Sequence, residues 1–479
     1  MSEKKEKYGI TLVYGLAVVM CAIVSFPILS QSVTGDEAFS IVLVRGSVWD
    51  IIKGSAADVH PPLYYLLLKL STIIGGESIL KYRIVTAVAF YINLLFIGAT
   101  KIRKRWGKQS AVWYILWFGG AYYSFYVLMQ IRMYTWGTLF ATMAVLYLYE
   151  YYLEHQRKKL IICVLMTICA MYTHYYSLFV VFFAWVFYLF LVVIHGIKEK
   201  KTKLIWETLI CGAIIVIGYL PWLGVMLKQT STDKSYWTVY WRNLYSTPAS
   251  IMQGSFPSIG MMLLVLAACV MIGQIKKEKL LIAYGSFICI MTELLGMLYS
   301  KIVTPIWAAR YLYMSFGVFC LVLAACLGKK SFENKVLKLA KVILLGVLVM
   351  NIFSSVEAMR NEEVWTRKGY EWVDFIHNNV DKDATCFIGC LDDHKITFEC
   401  YLPDREIYSF DTTDDGINDI IPKYLSEKQN NEKWLMIDSL MVLVSQEELV
   451  SFIENEGYDV NYVDTFWIKG KKILVYEII

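Results

Sequence analysis

The sequence predicts an α-helical polytopic membrane protein that ends in a water-soluble α/β domain. Three observations predict it. First, 57% of the 479 residues are hydrophobic and only 18% are charged, less charge than a soluble domain of this size carries. Second, apolar runs of about twenty residues recur along the chain, the length that crosses a bilayer as a helix. Third, the charge is divided: the last 124 residues hold 26 acids against 12 bases, although the whole chain has 41 acids against 46 bases. A basic membrane part, residues 1–355, and an acidic part, residues 356–479, are therefore expected. The bases sit in short loops, a pattern that orients helices in a membrane and implies no nucleic-acid partner.

The run from Tyr8 to Ser30 is too long for a signal-peptide core and has no small-x-small cleavage site, so it reads as the first membrane helix. Ten further spans are expected near 82–100, 110–128, 133–152, 159–175, 177–195, 204–227, 257–275, 280–300, 309–327 and 336–354, about eleven in all. Basic clusters at 4–7, 101–105, 157–159, 198–203, 276–279 and 328–335 all fall on one side of this arrangement, the cytoplasmic side. The N-terminus is then cytoplasmic and the C-terminal domain extracytoplasmic, in the cytoplasmic membrane. The outer connections, 31–81, 129–132, 173–177, 228–256 and 301–308, carry Asp, His, Trp and Tyr instead of lysine runs. Within the first outer loop, 39–53 and 61–74 are apolar but too short to span, and read as helices lying in the outer interface.

In the tail, "ATCFIGC", "KWLMIDS", "YDVNYVDTFWI" and "KILVYEI" read as strands. "EWVDFIHNNV", "GINDIIPKYLSEK" and "SQEELVSFIENEG" read as helices, the last capped by Ser445 and stopped by Gly457. No catalytic motif stands in the tail. Of eleven cysteines, eight lie in apolar runs as small hydrophobes and three (Cys386, Cys390, Cys400) lie in the tail. That odd number makes no disulfide framework, and no Cys/His spacing suits zinc.

The residues suited to chemistry gather at the outer helix ends. Asp36 and Glu37 follow the first helix, and Asp50 and Asp58 share their loop. Acids crowded at a low-dielectric boundary are expected to have raised proton affinity, which suits general-base work. An extended backbone would turn the side chains of Asp36 and Glu37 apart. "DVHPPLYY" sets His60 ahead of Pro61-Pro62, a good helix start, where an anion is welcome; a lone histidine is more often structural. Arg132 in "MQIRMYTW" and Arg310 in "WAARYLY" sit at outer helix ends, where an arginine is costly unless paired or interfacial. With His60 they read as an outward-facing cationic cluster, and arginine grips phosphate bidentately. Tyr134 follows Arg132 in the same motif. His174 lies in the short turn "MYTHYYSLF", where an interfacial aromatic belt is the plainer explanation. Glu293 is an acid inside an apolar run, explicable as the neutraliser of a neighbouring arginine.

The order "GDEAFS…ADVHPPLYYLLLKL…QIRMYTW…THYYSLF…RYLYMSFGVFCLVLA" resembles the GT-C integral membrane glycosyltransferases, nearest the branch of protein O-mannosyltransferases and aminoarabinose transferases. The likeness is most specific in the first outer loop, moderate at "RMY" and "RYL", and absent from the tail. It implies a monosaccharide donor linked to polyprenyl phosphate, used on the outer face of the membrane. It further implies Asp36 as catalytic base and Glu37 as its acidic neighbour. By the same likeness His60, Arg132 and Arg310 surround the lipid phosphate, while Asp58, Tyr134, His174 and Glu293 are candidate substrate contacts. Aminoarabinose transferases have lysine where His60 stands, while the mannosyltransferases have this histidine, so the likeness does not name the sugar from this position. The sequence has no dense ligand set, and no metal or other cofactor is expected to be required.

The chemistry suits these residue types. Inverting transfer of a sugar from phosphate to a hydroxyl needs one carboxylate base, with cations for the leaving phosphate. A retaining hydrolase would instead want two carboxyls acting as a close pair. The acceptor is left open between a lipid, a cell-wall polymer and a protein. A transporter or lipid flippase would favour interrupted mid-membrane helices and repeat symmetry, and neither is evident. A polysaccharide polymerase or ligase is separated mainly by the DE…DVHPPL order, and a non-catalytic scaffold is the remaining alternative.

Overall fold

The structure is a computed structural model. It describes residues 2–26, 33, 35–73, 75–199, 203–230, 238–253, 257–328, 335–361, 371–389, 392–403, 405, 407–410, 421–422, 425, 432–438, 445–468 and 471–479. The chain folds into two compact units. One comprises Met1–Phe26 with Ser47–Ala358, the other Pro27–Gly46 with Met359–Ile479.

The first unit is helical. In chain order its long elements are α1 (Ser2–Ser25) and, after α2 (Gly35–Arg45) of the other unit, α3 (Val48–Ala57) and α4 (Leu63–Ile73). Then come α5 (Ile79–Trp106), α6 (Lys108–Gly120), α7 (Tyr122–Leu128), α8 (Tyr134–Glu154) and α9 (Arg157–Met171). The remainder are α10 (Tyr175–Glu199), α11 (Lys203–Thr230), α12 (Asn243–Met252), α13 (Pro257–Gly273), α14 (Ile275–Ile302), α15 (Ala309–Leu327) and α16 (Lys335–Asn361). Each expected span has a helix in its place. Among the described residues seven helices are long and apolar enough to cross a membrane, and the chain is a multi-pass membrane protein. The expected run 110–128 is broken at Ala121, whose extended backbone separates α6 from α7. The expected interfacial helix 39–53 is also broken. Ser47 starts α3 through a reciprocal cap with Asp50, so α2 and α3 are separate helices.

Bilayer lipid is as apolar as leucine, so close approach and hydrogen bonds must hold the helices together. At Gly317 of α15 an added Cβ would lie 2.0 Å from the Thr142 hydroxyl of α8, so only glycine permits this crossing. Thr138 Oγ1 also donates to the Tyr313 carbonyl at 3.1 Å. At the other end of α8, Glu150 is 4% exposed and accepts from Lys101 Nζ of α5 at 2.8 Å, with Lys159 of α9 at 3.1 Å. Arg105 and Lys159 pair with Glu154 beside it. The clusters at 101–105 and 157–159 therefore share one end of the bundle.

The second unit contains α2, α17 (Glu371–Asn379), β1 (Thr385–Gly389), α18 (Asp392–Tyr401), β2 (Ile407–Phe410), β3 (Lys433–Asp438), α19 (Gln446–Asn455), β4 (Val460–Ile468) and β5 (Lys471–Ile478). The sheet order is β2-β1-β3-β5-β4, parallel across the first three strands and antiparallel at β5 and β4. Alternation sets the two cores. Trp434 and Met436 of β3 join Trp372, Ile376, Phe398 and Leu402, while Leu435 and Ile437 join Leu449 and Ile453. Strand β4 is an edge with a register shift between Tyr462 and Asp464. The four expected strands form. The expected helix at 416–428 lies mostly outside the described residues, as do residues 231–237 of the outer connection 228–256. Helix α18 and strand β2 were not expected.

Candidate functional site

Helix α4 begins where the prolines place it. Leu66 donates its amide to the Pro62 carbonyl at 3.1 Å, and the Leu63 amide donates to the Tyr172 carbonyl at 3.0 Å. That second bond ties the helix start to the turn carrying His174. Ahead of it, Asp58 ends α3. Gln229 of α11 clamps this end, donating from Nε2 to the carbonyls of Ser55 at 2.8 Å and Asp58 at 2.6 Å. Its Oε1 accepts from the Tyr175 hydroxyl.

Four groups then converge. His60 Nδ1 lies 3.2 Å from Asp58 Oδ2 and 3.3 Å from Arg132 Nη2. The two bonds exclude one another, since guanidinium only donates. With a proton on Nδ1, His60 donates to Asp58; with Nδ1 bare, it accepts from Arg132. The Tyr65 hydroxyl bridges the network, donating to Asp58 Oδ2 at 3.4 Å and accepting from Arg132 Nη1 at 3.3 Å. His60 is 5% exposed and Arg132 4%. Burial pushes the Asp58 carboxyl up, but the His60 hydrogen bond and the charges of His60 and Arg132 outweigh it and hold it at about 2. The expected raised proton affinity is therefore reversed at Asp58. At Asp50 the hydroxyl and amide of Ser47 lower the carboxyl, and this acid is a helix cap.

His174 sits beside this network. Its ring centroid is 5.3 Å from His60, 4.7 Å from Tyr311 and 6.0 Å from Tyr134. It is 2% exposed, which a membrane-surface aromatic belt does not explain. The Tyr176 amide donates to its Nδ1 at 3.0 Å, so Nδ1 is bare and the neutral ring carries its proton on Nε2. Among the described residues Nε2 has no hydrogen-bond partner. Burial, then the charges of His60, Arg132 and Arg310, hold His174 well below the usual histidine range. Arg310 is thus within electrostatic reach of the cage, half-buried on the first turn of α15, its guanidinium carbon 5.5 Å from the Tyr311 ring.

Glu293 lies on α14, and its Oε1 is buried without a hydrogen-bond partner among the described residues. No arginine pairs with it there, contrary to the neutralising role expected. It borders a cavity of about 360 Å³ between α12, α13, α14 and α15, walled by residues such as Ile251, Ile290, Leu312 and Phe316. Tyr176 crosses Gly296, nearly one turn along α14 from Glu293, and its ring lies tilted 5.6 Å from that of Tyr311, which links that cavity to the histidine cage. Among the described residues no three His, Cys, Asp or Glu side chains gather to hold a metal ion.

Asp36 and Glu37 belong to the second unit. They form the first turn of α2, not an extended segment, at the helix end that favours negative charge. Successive side chains still point about 100° apart there. Glu37 is fully buried, and Asp36 is half-buried.

Sequence reasoning missed Tyr65, Tyr176, Gln229 and Tyr311. Tyr65, Tyr176 and Tyr311 each follow or flank a motif residue, and that adjacency was the available signal. Gln229 gave none.

Residues 59–224 match the family model of dolichyl-phosphate-mannose-protein mannosyltransferase. No curated protein matches the chain in sequence. In fold, the chain is similar to ArnT from Cupriavidus metallidurans in the apo state, at 11% identity and TM-score 0.64, covering 99% of this chain and 98% of that one. The same protein bound to undecaprenyl phosphate matches at 10% identity and TM-score 0.61, covering 98% and 97%. The resemblance to the GT-C membrane glycosyltransferases is borne out in the fold.

Proposed function

We propose that the protein is an inverting glycosyltransferase that moves a monosaccharide from a polyprenyl-phosphate donor to a hydroxyl acceptor on the outer face of the cytoplasmic membrane. The observation that carries this reading is the buried Arg132, held with His60 and Asp58 at the start of α4. A buried guanidinium beside a neutral imidazole N–H is a receptor for a tetrahedral anion. A fold neighbour binds undecaprenyl phosphate, which supports a lipid phosphate as that anion.

In the proposed reaction, the acceptor hydroxyl loses its proton to Asp36 as its oxygen attacks the anomeric carbon. The bond from that carbon to the phosphate oxygen breaks, and the lipid phosphate leaves with the electron pair. Arg132, Arg310, His60 and the Nε2–H of His174 stabilise the charge that grows on it. Asp58 and Tyr65 hold Arg132 and His60 in place before the phosphate arrives. Glu37 assists Asp36 at the acceptor, and Tyr134 and Glu293 contact sugar hydroxyls. The cavity beside Glu293 gives a hydrocarbon chain a berth. No metal has a part in this scheme.

The test is to incubate the purified full chain with a panel of polyprenyl-phosphate monosaccharides and follow sugar release or transfer by mass spectrometry. Turnover with at least one donor is expected, and Arg132→Ala should weaken use of that donor by about 10- to 100-fold. No turnover with any donor, or an unchanged dependence on donor concentration in Arg132→Ala, would overturn the reading.

A further inference from the structure

The second unit treats α2 as one of its own parts, and this assigns work to a tail that carries no catalytic motif. Both ends of α2 are fastened to three consecutive residues of α18. At its C-terminal end, Arg45 donates from Nη1 to the Glu399 carbonyl at 2.9 Å and from Nη2 to the Cys400 carbonyl at 2.8 Å. These carbonyls belong to the last turn of α18, where they lack intrahelical amides and the helix end is negative. A guanidinium fork is suited to that place, because it bonds two acceptors at once and never loses its charge. Ahead of the N-terminal end, the Val33 amide donates to the Tyr401 hydroxyl at 2.6 Å.

Between these ties α2 buries Ala38, Ile41 and Val44, one face of the helix. The anchor is itself rigid. Phe398 is fully buried and Leu402 2% exposed in the core of the tail, and the Trp372 ring packs tilted against Phe398 at 4.7 Å and edge-on to Tyr401 at 5.4 Å between centroids. A side chain on the first turn of α2 is therefore positioned from the Trp372 core outward through α18.

We infer that Arg45 and Tyr401 are positioning residues, and that the C-terminal unit serves the reaction by fixing the helix that presents Asp36 and Glu37. The inference rests on the proposed reading of Asp36 as base. A base displaced by about 1 Å costs on the order of a hundredfold in rate, so loosening α2 should act on turnover. The polyprenyl-phosphate contacts proposed above, His60, Arg132, His174 and Arg310, lie in the other unit and should be unaffected.

The experiment compares full-length wild type with Tyr401→Phe, Arg45→Ala and Arg45→Lys, using the donor that turns over in the panel. Tyr401→Phe and Arg45→Ala should lower kcat by about 10- to 100-fold with donor KM unchanged. Arg45→Lys, which keeps the charge but not the fork, should recover part of the loss. Hydrogen–deuterium exchange, which needs no turnover, should show faster exchange of the α2 amides in Tyr401→Phe and Arg45→Ala, with α8 and α15 unchanged. Wild-type kcat in both variants, a parallel rise in donor KM, or unchanged α2 protection would each overturn the inference. Asp36→Asn separates the two readings: if it retains activity, the base assignment fails whatever the exchange data show. If it is inactive while Tyr401→Phe and Arg45→Ala turn over normally, only the positioning role fails.

Discussion

Asp58 and His60 are bonded side chain to side chain, Oδ2 to Nδ1 at 3.2 Å, across a single intervening residue. The tie makes this acid strong and keeps it charged, so it acts on its neighbours by attraction and not by taking protons.

Its consequence is a pH signature. The Asp58 carboxyl is lowered from 3.8 to about 2. A lowered acid stabilises the fold above its unfolded pKa, and that contribution is lost as pH falls through the folded one. Asp58→Asn should cost about 2 kcal/mol near neutral pH. The gap in thermal stability between wild type and variant should narrow as pH falls from about 4 towards 2. A gap that stays constant over that range would show that the carboxylate is not held this way.

His174 should act as a neutral donor. His174→Gln retains an N–H and should keep most turnover, whereas His174→Phe should lose about 10- to 100-fold. Because the ring is held well below the usual histidine range, His174→Gln should leave the shape of the pH–rate profile between about pH 5 and 8 unchanged. Removal of an ionisation from that profile would contradict a neutral His174.

Asp36→Asn should reduce sugar transfer by at least about 100-fold, the lower range of general-base contributions, with unchanged expression and melting temperature. Near-normal transfer by the folded variant would remove Asp36 as the base.

The proposed topology places the C-terminal domain outside. A tag after Ile479 should be reached by a membrane-impermeant reagent on intact cells, and a cysteine replacing Lys104 should not. The reverse pattern would turn the bundle over and put the proposed phosphate contacts on the wrong side.

The helices were legible because apolar runs of membrane length have no other economical reading, and the tail strands because their alternation is strong. Helix α18 was not, since "DDHKITFECY" has little apolar periodicity and is held in place by Phe398 against Trp372. Strand β2 has only four residues and gains its pairing from β1. At the candidate site, residue types and motif order could be read, but partners could not. The proton affinity expected for Asp58 has the wrong sign because the hydrogen bond from His60, and then the charges of His60 and of the distant Arg132, outweigh the effect of burial. The attachment of α2 to the tail was invisible because it is made by residues more than 350 positions apart.

Strand β4 is a long sheet edge, the kind of border to which another chain's strand can add. The register shift between Tyr462 and Asp464 interrupts the regularity of the strand, and Asp464 puts an exposed negative charge beside the break. Proteins confined to a bilayer meet one another often and in similar orientations. An irregular border that carries a charge disfavours the addition of a further strand along β4.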